Sequence, residues 1–167
     1  ASGQIADVDA EEAAYSDWWN SGWNHRKRLT LNADKVGANN VPKDNSDLAN
    51  MPVLLSFTDS EIEASAKFDG SDIAFVLGGQ KLDHEIVQLD PVSDKLVAWV
   101  EIPAISSSTD TSVTMYYGNP GASDQQNVAG TWSNGFVAAW HLEEDVRGAG
   151  GTYKDSTSYG RDGTSGT

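Results

Sequence analysis

From residue 27 onward the chain is a succession of short apolar runs, each followed by a turn signal, and that rhythm limits the fold more than any other feature. Residues 27–33 (KRLTLNA) alternate, with Leu29 and Leu31 on one face and Arg28, Thr30 and Asn32 on the other. Residues 51–57 (MPVLLSF) form a more fully apolar run with Pro52 confined to its start, where a missing N–H is tolerated. Residues 71–77, 82–89, 95–102 and 111–117 repeat the pattern. The connections have turn chemistry. Asn119-Pro120-Gly121-Ala122 predicts a type II turn. The Gly78-Gly79 pair predicts a tight hairpin, and Asp90-Pro91 a chain reversal. One helix is expected over 60–68, with Ser60 and Glu63 as a capping box. Short strands at roughly ten-residue spacing fold back antiparallel. The expected class is therefore all-β: an antiparallel, jelly-roll-like β-sandwich with at most one short helix.

Length and charge narrow the rest. The 167 residues suit one domain, or one domain and a piece of a second. Eleven basic against 25 acidic residues give a formal charge of −14, which repels phosphate backbones and argues against a nucleic-acid partner. The chain has no cysteine, so disulfides and thiolate metal sites are excluded. No apolar run approaches the roughly 20 residues of a membrane span. Residues 1–17 read as a flexible acidic leader. They lack the basic start and apolar middle of a signal peptide, and are compatible with a mature end left by cleavage.

Few residues point to chemistry. Trp18, Trp19 and Trp23 offer indole faces on which pyranose rings can stack; as packing, the same rings would close one end of the core. Trp18 is the one expected to stay exposed. Asp69, Ser71 and Asp72 lie in a glycine-containing loop of the oxygen-rich kind that can hold calcium, the one candidate cofactor. The ordinary alternative is an Asx turn. Asp83, Glu85 and Asp90 supply carboxylates of the type glycosidases use, but His84 and Glu85 face opposite ways on a strand and do not converge. His25-Arg26-Lys27-Arg28 reads as the charged guard of an edge strand. Without a nucleophile elbow, zinc motif or cofactor fingerprint, no enzyme activity is expected.

The order of the pieces carries a resemblance. Trp19 and Trp23 at the opening, Asp69-Gly70-Ser71-Asp72, Trp99-Val100 with Pro103, and Tyr116-Tyr117-Gly118-Asn119 follow one another over residues 18–142. This resembles a family of extracytoplasmic β-rich domains of unassigned function, found in bacterial and archaeal envelope proteins, some continuing into a TolQ/ExbB-type channel. Downstream, Trp140, His141 and Leu142, then Asp155, Ser156, Gly160, Asp162, Gly163 and Thr164, are similar to the opening of a concanavalin-like, laminin-G-type sandwich. The resemblance implies a module over 18–134. It implies that 135–167 is either the truncated start of a second sandwich or a donated or returning strand. It also implies a secreted, cell-surface or periplasmic location and a recognition or adhesion role, with polysaccharide or a surface protein as partner. Two other roles are open: a structural block self-associating through strand edges, and an accessory domain of a polysaccharide-degrading enzyme.

Overall fold

The computed structural model describes residues 6–9, 18–37, 46–144 and 150–166. Among them the chain forms β1 (Ala6–Asp9), β2 (His25–Leu31), a 3-10 turn (Ala33–Lys35), β3 (Leu48–Thr58) and α1 (Ser60–Ser65). Then come β4 (Ala74–Leu77), β5 (Gln80–Lys81), β6 (His84–Asp90), β7 (Lys95–Ile105), β8 (Thr111–Tyr117) and α2 (Val128–Thr131). The pair β9 (Thr152–Tyr153) and β10 (Gly163–Thr164) makes a small separate ribbon.

Two antiparallel sheets carry the fold. One has the order β1-β2-β8-β4-β5, the other β3-β7-β6. Alternation along each strand decides what lies between them. Leu29 and Leu31 of β2, Val113, Met115 and Tyr117 of β8, and Phe75 of β4 point inward from the larger sheet. They meet Val53 and Leu55 of β3 and Leu96, Ala98, Val100 and Ile102 of β7. Each Val, Leu, Ile, Met or Phe among them contributes about 1.5–3 kcal/mol when removed from water. The expected all-β sandwich is what forms.

Local differences have physical causes. Residues 6–9, expected within a flexible leader, pair with β2 from Ala6↔Leu31 to Asp9↔Arg28. β2 is therefore paired on both sides from Arg28 to Leu31. The cap of α1 lies one residue earlier than expected: Asp59, not Ser60, is the N-cap, accepting the Glu61 N–H. A second short helix, α2, is capped by Asn127, so the single expected helix becomes two. Gly78 and Gly79 both take positive φ (57° and 82°), the type I′ geometry a two-residue hairpin requires. The turn at 119–122 closes through Ala122 N–H and the Asn119 carbonyl, but Gly121 has no positive φ. The Asn119 side chain takes the Gly121 N–H instead, in an Asx-type arrangement without type II geometry.

Residues 136–142, a strand by composition, join neither sheet. Trp140 makes one isolated antiparallel bridge to Asp155. The free edge of β6 is already taken, because Asn127 N–H donates to the His84 carbonyl (3.1 Å) and Ile86 N–H to Gln126 Oε1 (2.7 Å). No helix among the described residues is long and apolar enough to cross a membrane.

Candidate functional site

On the outer face of the five-stranded sheet, pairing sets side chains in rows. Arg26 lies across from Tyr116, which lies across from Ala74; Arg28, Thr114 and Val76 form the next row, Thr30 and Ser112 the third. Chain segment 18–23 folds over the first row. A turn closed by Trp23 N–H and the Asn20 carbonyl brings the three indoles together. Trp23 is buried and donates Nε1–H to the Asp72 carbonyl (2.9 Å). Trp19 is half-buried, tilted on Trp23 (5.2 Å) and Tyr116 (5.7 Å), with its N–H on the Tyr116 hydroxyl (3.1 Å). Trp18 is 42% exposed, with the Arg26 guanidinium 4.7 Å from its ring centre.

The result is a groove of about 250 Å³ lined by Trp18, Trp19, Arg26, Val76, Gly78, Gly79, Ser112, Thr114 and Tyr116. It combines a partly bare aromatic ring, hydroxyls and one fixed guanidinium. The bare Gly78-Gly79 turn lies at its rim, where an added Cβ would meet nothing within 4 Å. Of the three tryptophans singled out in the sequence, Trp18 and Trp19 line this groove and Trp23 supports it from beneath.

The four basic residues of β2 divide between two sides. Arg26 lines the groove, and Arg28 follows it on the same face. Lys27 points to the other side, pairing with Asp59 and with Glu61 (2.9 Å) at the start of α1. Burial opposes the charge on Lys27, but hydrogen bonds to Asp59 and Glu61 outweigh it and raise its pKa. His25 stacks on Tyr117 (5.1 Å) and comes within 3.7 Å of Glu61.

The loop expected to offer calcium ligands is wired internally. Asp69 Oδ1 accepts the Ser71 N–H (3.0 Å), and this backbone donor, followed by the Ser71 hydroxyl, holds the Asp69 carboxyl below its usual range. Asp72 is buried; its Oδ1 accepts Lys67 N–H (2.8 Å) and its Oδ2 accepts Asn119 N–H (2.9 Å). The loop thus joins α1, the 119 turn and Trp23. Among the described residues, no three His, Asp or Glu side chains converge as a metal set would.

A second constellation lies on the outer face of the three-stranded sheet. Glu85 of β6 accepts Trp132 Nε1–H (2.7 Å) and engages His141 Nε2 (2.9 Å) through one oxygen. Its other oxygen accepts the Ser156 hydroxyl (2.7 Å). Trp132 packs on Trp99 (5.1 Å), Phe136 (5.2 Å) and His141 (5.8 Å). The carboxylate stands between His141 and Ser156, so the imidazole is not placed to take the serine proton, as a nucleophilic triad requires. Nearby, burial and then Asp83 raise the Glu101 pKa. Asp90 closes the β6–β7 turn by accepting from Val92 N–H and Ser93 Oγ. His84 faces the core, its Nδ1 near the Leu82 carbonyl (3.3 Å) and its ring edge-on to Phe75.

Past the helix turn, Asp155 organises the chain's last described stretch. Against desolvation that would raise it, N–H groups of Ala139, Thr157 and Arg161 lower its pKa to about 2. Asp162 accepts the Asp155 N–H (3.0 Å) and pairs with Lys154. A family likeness marks Asp155 and Asp162 in the sequence, whereas nothing there marks Trp132 or the His141–Glu85–Ser156 contact. These partners are 47 to 71 residues apart, and no local pattern joins them.

Residues 69–144, under half of the chain, match a family described as a domain of unknown function, DUF2341. The matched stretch begins at the Asp69 loop and runs past α2 to Glu144. No curated protein and no solved structure shows a match.

Proposed function

We propose that this chain is a non-catalytic recognition module of an extracellular or cell-envelope protein, binding polysaccharide in the groove on its five-stranded sheet. The observation that carries this reading is the 42% exposed Trp18 ring in a groove that Ser112 and Thr114 also line. An indole accepts the apolar face of a pyranose, and hydroxyls beside it orient the ring. Affinity electrophoresis against a panel of neutral and acidic polysaccharides tests it. At least one polymer should retard the chain, and Trp18→Ala should abolish the retardation. A chain that no polymer retards, with or without calcium, overturns the reading.

A structural role is the second reading. It draws on the 136–142 segment, which joins neither sheet and where Val137 (59%), Trp140 (46%) and Leu142 (66%) are exposed. Strand donation between copies would show as a dimer or larger species in light scattering that deletion of 136–167 converts to monomer.

A further inference from the structure

We infer that Lys27 and Asp59 condense to an intramolecular amide bond, with Glu61 carrying the proton, so that the fold acquires its own covalent cross-link. The inference is independent of the polysaccharide reading, because it concerns the side of β2 that faces away from the groove.

Three groups stand where such a condensation needs them. Lys27 is 7% exposed, and its neighbours on that side of the sheet, Leu29 and Met115, are fully buried. Its Nζ donates to Asp59 Oδ2 and lies 2.9 Å from Glu61 Oε2. Asp59 Oδ1 accepts the Glu61 N–H (3.0 Å). The amine thus meets a carboxyl whose other oxygen already has a backbone donor, an arrangement that stabilises charge developing on that oxygen. The carboxyl is also held in place. The Asp59 N–H donates to the Asp94 carbonyl (2.8 Å), and Ile62 of α1 is buried in the core. Holding two reacting groups in contact speeds bond formation, with effective concentrations of about 10⁵–10⁸ M in well-oriented cases.

The atoms balance without an added reagent. Glu61 takes one proton from the Lys27 ammonium, and the neutral Nζ attacks Asp59 Cγ. Oδ1 holds the charge of the tetrahedral intermediate. Glu61 returns its proton to Oδ2, which gains a second from Nζ and leaves as water. The third proton stays on the amide nitrogen, and nothing is oxidised or reduced. The Glu61 side chain is 49% exposed, so the water has a way out. Burial opposes the Lys27 charge, but the hydrogen bonds to Asp59 and Glu61 prevail and keep the ion pair dominant. The bond therefore forms slowly, once per molecule. Its product exchanges a poorly solvated ion pair for a neutral amide. The link ties β2 of one sheet to the residue following β3 of the other, 32 positions along a chain that has no cysteine. Closing that loop restricts the unfolded chain as a disulfide would.

The test is the intact mass of the full chain, fresh and after a week's incubation at neutral and mildly acidic pH. The chain should become lighter than its sequence by one water. A protease that cuts after lysine should then leave Lys27 joined to the peptide that bears Asp59. Lys27→Ala should keep the full mass. Glu61→Gln, which leaves both reacting groups in place, should also keep it and should unfold at lower urea than the cross-linked parent. An unchanged parent mass after incubation overturns the inference and leaves an ordinary ion pair. Water lost to a succinimide at Asp69-Gly70 or Asp162-Gly163, with normal cleavage after Lys27, overturns it too. A Lys27–Asp59 link that forms equally well in Glu61→Gln overturns the role of Glu61.

Discussion

The outer faces of the two sheets are built from similar materials and finished differently. Each carries tryptophans beside an ionisable side chain held in place: Trp18 and Trp19 with Arg26 on the five-stranded sheet, Trp99 and Trp132 with Glu85 on the three-stranded one. On the three-stranded sheet the chain's own residues 132–156 supply the partners. Glu85 is enclosed by an indole, an imidazole and a hydroxyl, and Trp132 is only 6% exposed. On the five-stranded sheet, segment 18–23 lies over the first row, and Trp18 is 42% exposed beside a groove. An aromatic residue beside a charge is thus no signature by itself. Among the described residues, the two faces differ in how fully the chain's own side chains enclose the ionisable group.

Exchanging alanine into the two faces breaks this comparison most directly. Trp132→Ala should lower the unfolding free energy by about 3 kcal/mol, as removal of a buried aromatic does, with polysaccharide retention kept. Trp18→Ala should cost under about 1 kcal/mol and eliminate retention. Urea titration and affinity gels on both variants check the pair, and reversed outcomes would mean the faces are misassigned.

Asp72 comes next, because it supports the open face from below. Asp72→Ala orphans the Lys67 and Asn119 N–H groups and should cost about 2 kcal/mol, read as a fall in urea midpoint. Unlike Trp132→Ala, it should also weaken retention, since it loosens the loop on which Trp23 is anchored. Stability lost with binding intact would show that the groove does not depend on that anchor.

A smaller effect belongs to the covered face. Glu85→Gln keeps the shape but weakens acceptance from Trp132, His141 and Ser156, costing about 1–2 kcal/mol. Amide hydrogen exchange should accelerate over residues 132–156 and stay unchanged in β2 and β8. Uniform acceleration would mean that segment is not a separately held layer.

The mildest test concerns pH, at the residue beside Glu85. His84 is buried, and the loss of solvent pushes its pKa below the ordinary 6.5. The unfolded chain takes up a proton there as pH falls through 6.5 while the folded chain resists, so the unfolded state binds more protons. Stability contributed by neutral His84 is therefore full above that pH and declines below it. Urea midpoints at pH 7.5 and 5.5 should separate in the parent chain and converge in His84→Gln.

Strands were legible where one side of a segment is apolar and the other is not. Period-two alternation in 27–33 and 95–102 translated directly into β2 and β7, because burial between two sheets rewards that period. Residues 136–142 (FVAAWHL) have the apolar composition of a strand and form none. An apolar run states only that it can be buried; whether it pairs depends on a free ladder edge, and Gln126 and Asn127 had occupied the nearest one. α2 was missed because a single turn containing Gly130 has no periodicity to detect. The Asp59 cap lay one residue from the expected one, since Asp and Ser compete for that position on nearly equal terms. Of the groove, the exposure of Trp18 could be anticipated, but the Arg26 stack depends on strand pairing across more than 80 residues and could not.

The strand that begins His25-Arg26-Lys27-Arg28 works as a two-channel address. Odd positions speak to α1 and even positions to whatever occupies the outside, so a one-residue slip would exchange the messages. Substitution at the even sites can therefore alter the outer surface of the sheet while the odd sites continue to hold the helix. In relatives the two sets of positions should vary independently.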